Sequence, residues 1–284
     1  MPVTRKDPPP HPARVPPIME PEPLPSAVPN RPVVRLSRLA SSLVMVVLLT
    51  TLTGLTVCAQ DPAVNTATKP EPRDGAWLQM HENFLEQARK GDIDLLFLGD
   101  SITRGWANDS EGGPSGIWQR HFAPRRAANF GIGGDRTQHL LWRLENGEVD
   151  GISPRVAVVM IGTNNANANT PAEIAEGVTA VVQTLRKKLP KTRVLLLGVF
   201  PRGKRHDAVR ERLRAVNERI ARLDDGGATV KYLDLGPHFV NPDGSISQDV
   251  MPDYLHLSRK GYRIWAEAME PTLWGLFEEP SPQK

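Results

Sequence analysis

The chain has 284 residues, of which 39% are hydrophobic and 24% are charged, as in an ordinary globular protein. Residues 1–59 carry six Lys/Arg and three Asp/Glu, so the part from Gln60 onward holds 29 basic and 29 acidic residues. This balance gives no reason to expect nucleic-acid binding. Cys58 is the only cysteine, which excludes cysteine chemistry and thiolate metal sites in the part that follows it.

The first 59 residues have the pattern of a proline-rich lead followed by an export signal. Residues 1–32 contain 12 of the 27 prolines, which argues against a packed core there. Arginines then precede the uncharged run Leu39–Val57, and cleavage after Ala59 would leave Gln60 as the mature N-terminus. We therefore expect an exported protein, periplasmic or secreted. Because the run is nearly long enough to span a bilayer, an uncleaved anchor through residues 39–57 is the alternative, and the only membrane contact expected.

After a polar linker at residues 60–73, short apolar runs alternate with helical patterns as far as residue 278, and residues 279–284 form a tail. The predicted strands are Asp94–Gly99, Ala127–Phe130, Val156–Ile161, Val194–Phe200 and Val230–Leu235. The predicted helices are Trp77–Arg89, Thr137–Glu145, Pro171–Leu189, Asp207–Leu223 and Ser258–Phe277. This alternation indicates one α/β domain at residues 74–278, with a five-stranded parallel sheet covered on both faces.

Four groups of polar residues and glycines follow predicted strands. They are Gly99-Asp100-Ser101, the loop Gly131–Gly134, the run Gly162-Thr163-Asn164-Asn165, and the pair Asp253 and His256 near the C-terminus. Because the carboxyl ends of parallel strands meet at one edge of a sheet, we expect all four groups to lie together. Each group alone is weak evidence of a site, and their convergence is the stronger signal.

A serine, a histidine and an aspartate are the parts of a nucleophilic acyl-transfer site. Taken singly, each has a plainer interpretation. Ser101 stands where a helix should begin and could be only its N-cap. His256 could be a loop histidine with a local hydrogen bond, or a metal ligand together with Asp253, although no clear third ligand is present. Thr103 occupies the second glycine position of the Gly-x-Ser-x-Gly elbow, which argues against an α/β-hydrolase.

The Gly131–Gly134 loop fits neither of the common phosphate-binding patterns. No Gly-Lys-Ser/Thr follows it, and the third glycine of a dinucleotide fingerprint is missing. Glycine does permit close approach of backbone N–H groups to a developing oxyanion, and Asn164 could add a side-chain N–H to the same oxygen. The plainer alternative for Asn164 is a turn residue.

In order along the chain, these four groups resemble the four motif blocks of the SGNH (GDSL-type) hydrolases. Longer strings are similar to the platelet-activating-factor acetylhydrolase catalytic subunits of that family: 129–135, 141–147 and 254–258. The likeness spans roughly residues 75–275. It implies a flavodoxin-like three-layer α/β/α sandwich in which Ser101 is the nucleophile, His256 the base and Asp253 its partner.

The resemblance also implies an oxyanion hole made of the Ser101 N–H, the Gly134 N–H and the Asn164 side chain, with Gly133 as the adjacent alternative. It implies an acyl pocket kept shallow by Ile102, Thr103 and Leu255, for which ordinary packing is the competing interpretation. The expected activity is then hydrolysis of short-chain, acetyl esters of lipids or carbohydrates through an acyl-enzyme, with no metal or organic cofactor. The resemblance also implies a homodimer. The separate regulatory subunit that the relatives bind is not expected here, because the chain begins with a predicted export signal.

Three alternatives stay open at this point. One is an exported carbohydrate O-acetylesterase, which would meet acetylated polysaccharides outside the cell. Another is a lysophospholipase or thioesterase, which a small acyl pocket disfavours. The last is a non-catalytic relative that holds an acylated ligand, which an intact set of Ser101, His256 and Asp253 disfavours.

Overall fold

A computed structural model gives the structure of residues 64–110 and 113–278. The predicted lead with its export signal or anchor at residues 1–59, the start of the linker and the tail at residues 279–284 lie outside these ranges. Within the ranges, no helix is long and apolar enough to pass through a bilayer.

The described residues form a sheet of five strands flanked by helices. The strands are β1 (Leu95–Gly99), β2 (Ala127–Gly131), β3 (Val156–Met160), β4 (Arg193–Leu197) and β5 (Val230–Leu233). The α-helices are α1 (Ala76–Lys90), α2 (Ser101–Arg104), α3 (Ser115–His121), α4 (Thr137–Glu145), α5 (Pro171–Lys188), α6 (Ala208–Ile220) and α7 (Arg259–Glu278).

The strand order is β2-β1-β3-β4-β5, and every pairing is parallel. The chain therefore adds β2 on one side of β1 and then crosses over to add β3 on the other side. At such a switch point, the loops that leave the carboxyl ends of the two strands diverge and open a crevice. The crevice expected from this topology lies at the ends of β1 and β3.

Two clusters of buried apolar side chains cover the two faces of the sheet. Successive residues of β1 alternate between them, with Leu95 and Phe97 in one cluster and Leu96 and Leu98 in the other. Residues of α4, α5 and α6 complete the cluster of Leu96, whereas residues of α2, α3 and α7 complete the cluster of Leu95. The predicted three-layer α/β/α sandwich with a five-stranded parallel sheet is confirmed.

Residues 64–73, here called the N-terminal strap, pack against this domain. Asn65 caps the single turn Thr66–Thr68 by accepting the Ala67 N–H at 2.9 Å, and Ala67 is fully buried. Thr137 at the start of α4 donates its hydroxyl to the Ala67 carbonyl at 2.7 Å. Residues 64–73 belong to the predicted linker, and in the structure some of their backbone polar groups find partners on the domain.

Candidate active site

Ser101 is presented at the end of β1, as the first residue of α2. The helix is capped by the residue before it, since Asp100 Oδ1 accepts the N–H of Ile102 at 2.9 Å. The alternative in which Ser101 is the N-cap is therefore wrong. The Ser101 hydroxyl lies instead 2.9 Å from Nε2 of His256, a residue 155 positions away in sequence.

Asp253 and His256 form a local pair in the turn before α7. His256 Nδ1 lies 2.7 Å from Asp253 Oδ2, while Asp253 Oδ1 accepts the backbone N–H groups of Leu255 at 3.0 Å and His256 at 2.7 Å. Tyr254, between them, has φ +60°, a left-handed conformation that tightens the turn. Both carboxylate oxygens are thus engaged, and the imidazole orientation is set within four residues.

The hydrogen bonds of this pair determine the imidazole tautomer. An ionised carboxylate can only accept, so Nδ1 carries the proton toward Asp253 and Nε2 is left to accept from the Ser101 hydroxyl. Partial burial acts to raise the pKa of Asp253, but the hydrogen bonds from His256 and Leu255 outweigh it and lower that pKa below its usual value. The carboxylate therefore stays ionised beside the imidazole at neutral pH.

The side chains of this pair are open to solvent, at 46% exposure for His256 and 56% for Asp253. The metal-ligand alternative for the pair needs a third donor. Within residues 64–110 and 113–278, no three His, Cys, Asp or Glu side chains are grouped as metal ligands would be.

The glycine loop after β2 and the polar run after β3 are tied together at the same sheet edge. Asn164 Nδ2 donates to the Asp135 carbonyl at 2.8 Å, which leaves the second hydrogen of that amide for another acceptor. Gly134 has φ +79°, a left-handed backbone conformation that residues other than glycine adopt at an energetic cost. Gly133 lies nearer the serine, because a Cβ built on it would be 3.8 Å from Ser101 Cβ. Gly133 thus lies beside Ser101, and Asn164 is bound to the loop that carries Gly134.

A buried ion network under this edge was not predicted from the sequence. Arg143 on α4 is fully buried; its Nε donates to Asp135 Oδ2 at 2.9 Å, and it also binds Glu148, likewise buried. The same guanidinium donates to the carbonyls of Phe130 at 3.1 Å and Gly99 at 3.4 Å, so it joins the ends of β1 and β2. Burial raises the pKa of Asp135, although Arg143 beside it acts to lower that pKa.

The predicted acyl-pocket residues are placed differently from one another. Ile102 and Thr103 are each only 1% exposed, with Ile102 inside the apolar core. Because both side chains are turned inward, this burial fits the competing interpretation of ordinary packing better than a pocket surface. Leu255 is half-buried beside His256.

Next to Ser101 and His256 lies a cleft of about 420 Å³. Its lining is mixed, and the polar side chains of Asn108, Ser110, Ser258 and Arg259 form part of its walls. Sequence patterns did not point to this cleft, because its lining comes from the segment after α2 and from the start of α7.

Asp100 carries a buried oxygen with no role in capping. Its Oδ2 has no hydrogen-bond partner among the described residues. The pKa of Asp100 is raised to about 7, chiefly by burial and also by the nearby Asp135 carboxylate, whereas the Ile102 N–H and His256 act in the opposite direction. A neutral carboxylic acid therefore lies directly before Ser101 over much of the acidic range.

With this geometry established, comparison with known sequences identifies the class. The chain belongs to the GDSL-like lipase/acylhydrolase family, whose profile matches residues 97–264. It is therefore an enzyme that hydrolyses esters. The alpha1 subunit of platelet-activating factor acetylhydrolase IB from Homo sapiens is 40% identical over 224 residues, covering 77% of this chain and 94% of that protein. The alpha2 subunit from Rattus norvegicus is 36% identical over 222 residues, covering 78% and 94%.

Solved structures share the fold at lower identity. A GDSL-like lipase from Bacteroides thetaiotaomicron aligns with a TM-score of 0.54 and 16% identity, covering 69% of this chain and 97% of that one. An acetyl-xylooligosaccharide esterase from Geobacillus aligns with a TM-score of 0.50 and 20% identity, covering 65% and 94%. At these identities the likeness supports the three-layer fold alone.

Proposed function

We propose that this protein is a serine esterase that hydrolyses short-chain, acetyl carboxylic esters through Ser101, His256 and Asp253. The observation that carries the proposal is the unbroken hydrogen-bonded chain of these side chains, with 2.9 Å from Ser101 Oγ to His256 Nε2 and 2.7 Å from His256 Nδ1 to Asp253 Oδ2. Such a chain is the arrangement that activates a serine hydroxyl.

In the proposed reaction, Ser101 Oγ attacks the ester carbonyl carbon while His256 Nε2 takes the hydroxyl proton. The tetrahedral intermediate collapses as the C–O bond to the alcohol breaks, and His256 returns the proton to the departing alkoxide. Water then attacks the acyl-enzyme, with His256 again accepting the proton. The products are the alcohol and the carboxylic acid, and Ser101 is regenerated.

The Ser101 N–H, the Gly134 N–H and the free hydrogen of the Asn164 amide are the proposed donors to the oxyanion. Support comes from their common position at the carboxyl ends of β1, β2 and β3, and from the bond between Asn164 and Asp135, which keeps the amide beside the loop. Donors that are already in place need no reorganisation when charge develops on the carbonyl oxygen.

The acetyl preference rests on two further observations. The 40% identical relative is named an acetylhydrolase. In addition, Ile102 and Trp106, one and five residues after Ser101, are each 1% exposed and pack in the apolar core. A short acyl group suits a nucleophile above a filled core better than a long one does.

Two measurements on the purified protein test this proposal. A fluorophosphonate probe should label the wild type at Ser101 and should not label Ser101→Ala, and hydrolysis of p-nitrophenyl acetate should vanish in the same variant. In a series of acetyl, butyryl and octanoyl esters, kcat/KM should fall as the chain lengthens. Labelling that persists in Ser101→Ala would overturn the nucleophile assignment, and absence of labelling in the wild type would favour a non-catalytic relative. A preference for octanoate would overturn the acetyl assignment.

A second candidate is a carbohydrate O-acetylesterase, favoured by the polar side chains that form part of the cleft beside Ser101. The hydroxyl, amide and guanidinium groups of Ser110, Asn108 and Arg259 suit a sugar better than an alkyl chain. Acetylated xylan compared with an acetyl phospholipid distinguishes the two alcohol portions. Faster release of acetate from the phospholipid would argue against the carbohydrate candidate.

A further inference from the structure

Arg73 of the N-terminal strap contacts the glycine loop after β2. Its Nη1 donates to the Gly133 carbonyl at 2.8 Å and to Asp135 Oδ1 at 3.1 Å. A Cβ built on Gly134 would lie 3.4 Å from the same nitrogen. The guanidinium therefore lies against the very peptide that joins Gly133 to Gly134.

The geometry of a peptide unit links this contact to the proposed oxyanion hole. The Gly133 C=O and the Gly134 N–H belong to one planar unit, and they point in opposite directions because no peptide bond in the described residues is cis. A donor fixed on the carbonyl therefore directs the N–H to the other side. Without such a donor the unit is free to rotate, since glycine on both sides imposes little conformational restriction.

We propose that Arg73 is a positioning residue for the oxyanion hole. Its hydrogen bond to the Gly133 carbonyl holds the Gly134 N–H in the direction of the oxyanion, and its positive charge polarises the amide so that the N–H is a stronger donor. The inference rests on the proposed function, in which Gly134 N–H receives the oxyanion. It extends the catalytic machinery to the strap, some 30 residues before the nucleophile.

The strap holds Arg73 in place from both ends. On its N-terminal side, Ala67 is buried and its carbonyl accepts the Thr137 hydroxyl. Nearer to Arg73, Glu71 N–H donates to the Gln138 carbonyl at 3.2 Å. On the C-terminal side, Trp77 Nε1 donates to Asp135 Oδ1 at 2.7 Å, the same oxygen that Arg73 contacts.

A purely stabilising role for Arg73 fits these contacts less well. Asp135 is already paired with Arg143 through its other oxygen and with Trp77, so its charge is compensated without Arg73. The Arg73 side chain is 37% exposed, so water compensates much of its charge, and the fully buried Asp135 keeps Arg143 as a partner when Arg73 is replaced. Removal of its charge should therefore change turnover more than folding.

The experiment compares Arg73→Met with Arg89→Met, an exposed arginine on α1, and with Arg73→Lys, all in the full chain. We expect Arg73→Met to lower kcat for p-nitrophenyl acetate about ten- to a hundredfold, with KM within about twofold, because the lost interaction acts only in the transition state. Arg89→Met should match the wild type, and Arg73→Lys should lie between. Added guanidinium ion at millimolar concentration should restore part of the lost kcat in Arg73→Met alone.

Several outcomes would overturn the positioning role. One is a kcat of Arg73→Met equal to that of Arg89→Met. Another is a rise in KM without a change in kcat. A fall in Tm of more than about 5 °C, without rescue by guanidinium, would show instead that Arg73 stabilises the fold. Ser101→Ala separates this inference from the proposed function: if it is as active as wild type, the function itself fails, whereas if it is inactive and Arg73→Met is fully active, only the inference fails.

Discussion

The hydroxyl of Ser101 is available for chemistry because its neighbour does the capping. A serine at the start of a helix commonly accepts a hydrogen bond from a backbone N–H of the first turn. Here Asp100 accepts the Ile102 N–H, and the Ser101 hydroxyl contacts His256 instead. The sequence Gly99-Asp100-Ser101 does not reveal which of the two polar residues caps the helix, since aspartate and serine are both good N-caps. The convergence of four strand ends could be predicted, because parallel topology dictates it.

Asn164 allows a direct test of the oxyanion proposal. Asn164→Ala should lower kcat by about a hundred- to a thousandfold, the usual cost of one oxyanion donor, while the far-UV circular dichroism stays unchanged. Asn146→Ala is the matched control, since its amide binds only the Trp142 carbonyl at the exposed end of α4. Wild-type turnover in Asn164→Ala would remove this side chain from the mechanism.

The buried acid Asp100 should make stability depend on pH. Burial raises its pKa from 3.8 to about 7, so between these values the unfolded chain loses a proton that the folded protein keeps. Stability therefore falls as pH rises through this interval and levels off above about pH 7. Asp100→Asn keeps the capping oxygen and removes the titration.

Urea unfolding at pH 5 and pH 8 measures this effect in both proteins. The wild type should lose roughly 2 kcal/mol more of its unfolding free energy between pH 5 and pH 8 than Asp100→Asn does. An equal difference between variant and wild type at both pH values would show that Asp100 does not titrate in this interval.

At the scale of elements, α2 sits directly on the ends of the strands because glycines leave room for it. A Cβ on Gly99 would overlap the Thr103 hydroxyl and the Met160 carbonyl, and one on Gly131 would overlap the backbone of Arg104. The backbone of the turn that presents Ser101 thus packs directly against the strands, which fixes the height of the Ser101 hydroxyl above the sheet.

Gly99→Ala should therefore be severely destabilising, by about 3 kcal/mol, and should abolish esterase activity by displacing α2. Gly116→Ala, on α3, is the control: a Cβ there meets nothing within 4 Å, and alanine in a helix should leave stability equal or slightly raised. Thermal unfolding of both variants tests this prediction. Equal melting temperatures for Gly99→Ala and Gly116→Ala would mean that α2 can shift without a cost in stability.

The sequence was a good guide to elements whose residues show a clear period. The predicted helix Thr137–Glu145 has the same bounds in the structure, and the predicted strand Val194–Phe200 begins one residue earlier, at Arg193, and ends three residues earlier, at Leu197. A helix was expected to begin at Ser101, but the bounds of α2 and the existence of α3 were not predicted, because four and seven residues are too few to show a period. The strap was missed because polar, proline-containing composition predicts exposure and says nothing about tertiary partners.

Arg143 marks the limit of such reasoning within the site. A basic residue on an amphipathic helix is expected to face solvent, and its partners Asp135 and Glu148 are ordinary neighbours in sequence. Only the pairing of β1 with β2 brings the Gly99 and Phe130 carbonyls to the same guanidinium. Burial of an arginine therefore depends on the assembled sheet and not on a local pattern.

For the whole molecule, the main open prediction concerns the N-terminal 59 residues. Export with cleavage after Ala59 would give a mature protein that begins at Gln60, a few residues before the strap. N-terminal sequencing of the protein recovered from outside the cytoplasm measures this directly. A sequence beginning at Gln60 would confirm the cleavage, and an intact Leu39–Val57 segment in a membrane fraction would favour the anchor instead.

The exposure of the Asp253–His256 pair has a consequence for the fate of the acyl group. An imidazole that is nearly half open to solvent meets not only water but any small alcohol dissolved in it. The proposed acyl-enzyme should then divide its acyl group between the two according to their concentrations and their relative nucleophilicities. Methyl acetate should accumulate when methanol is added during turnover, so the protein would act as a transferase whenever a suitable hydroxyl is abundant.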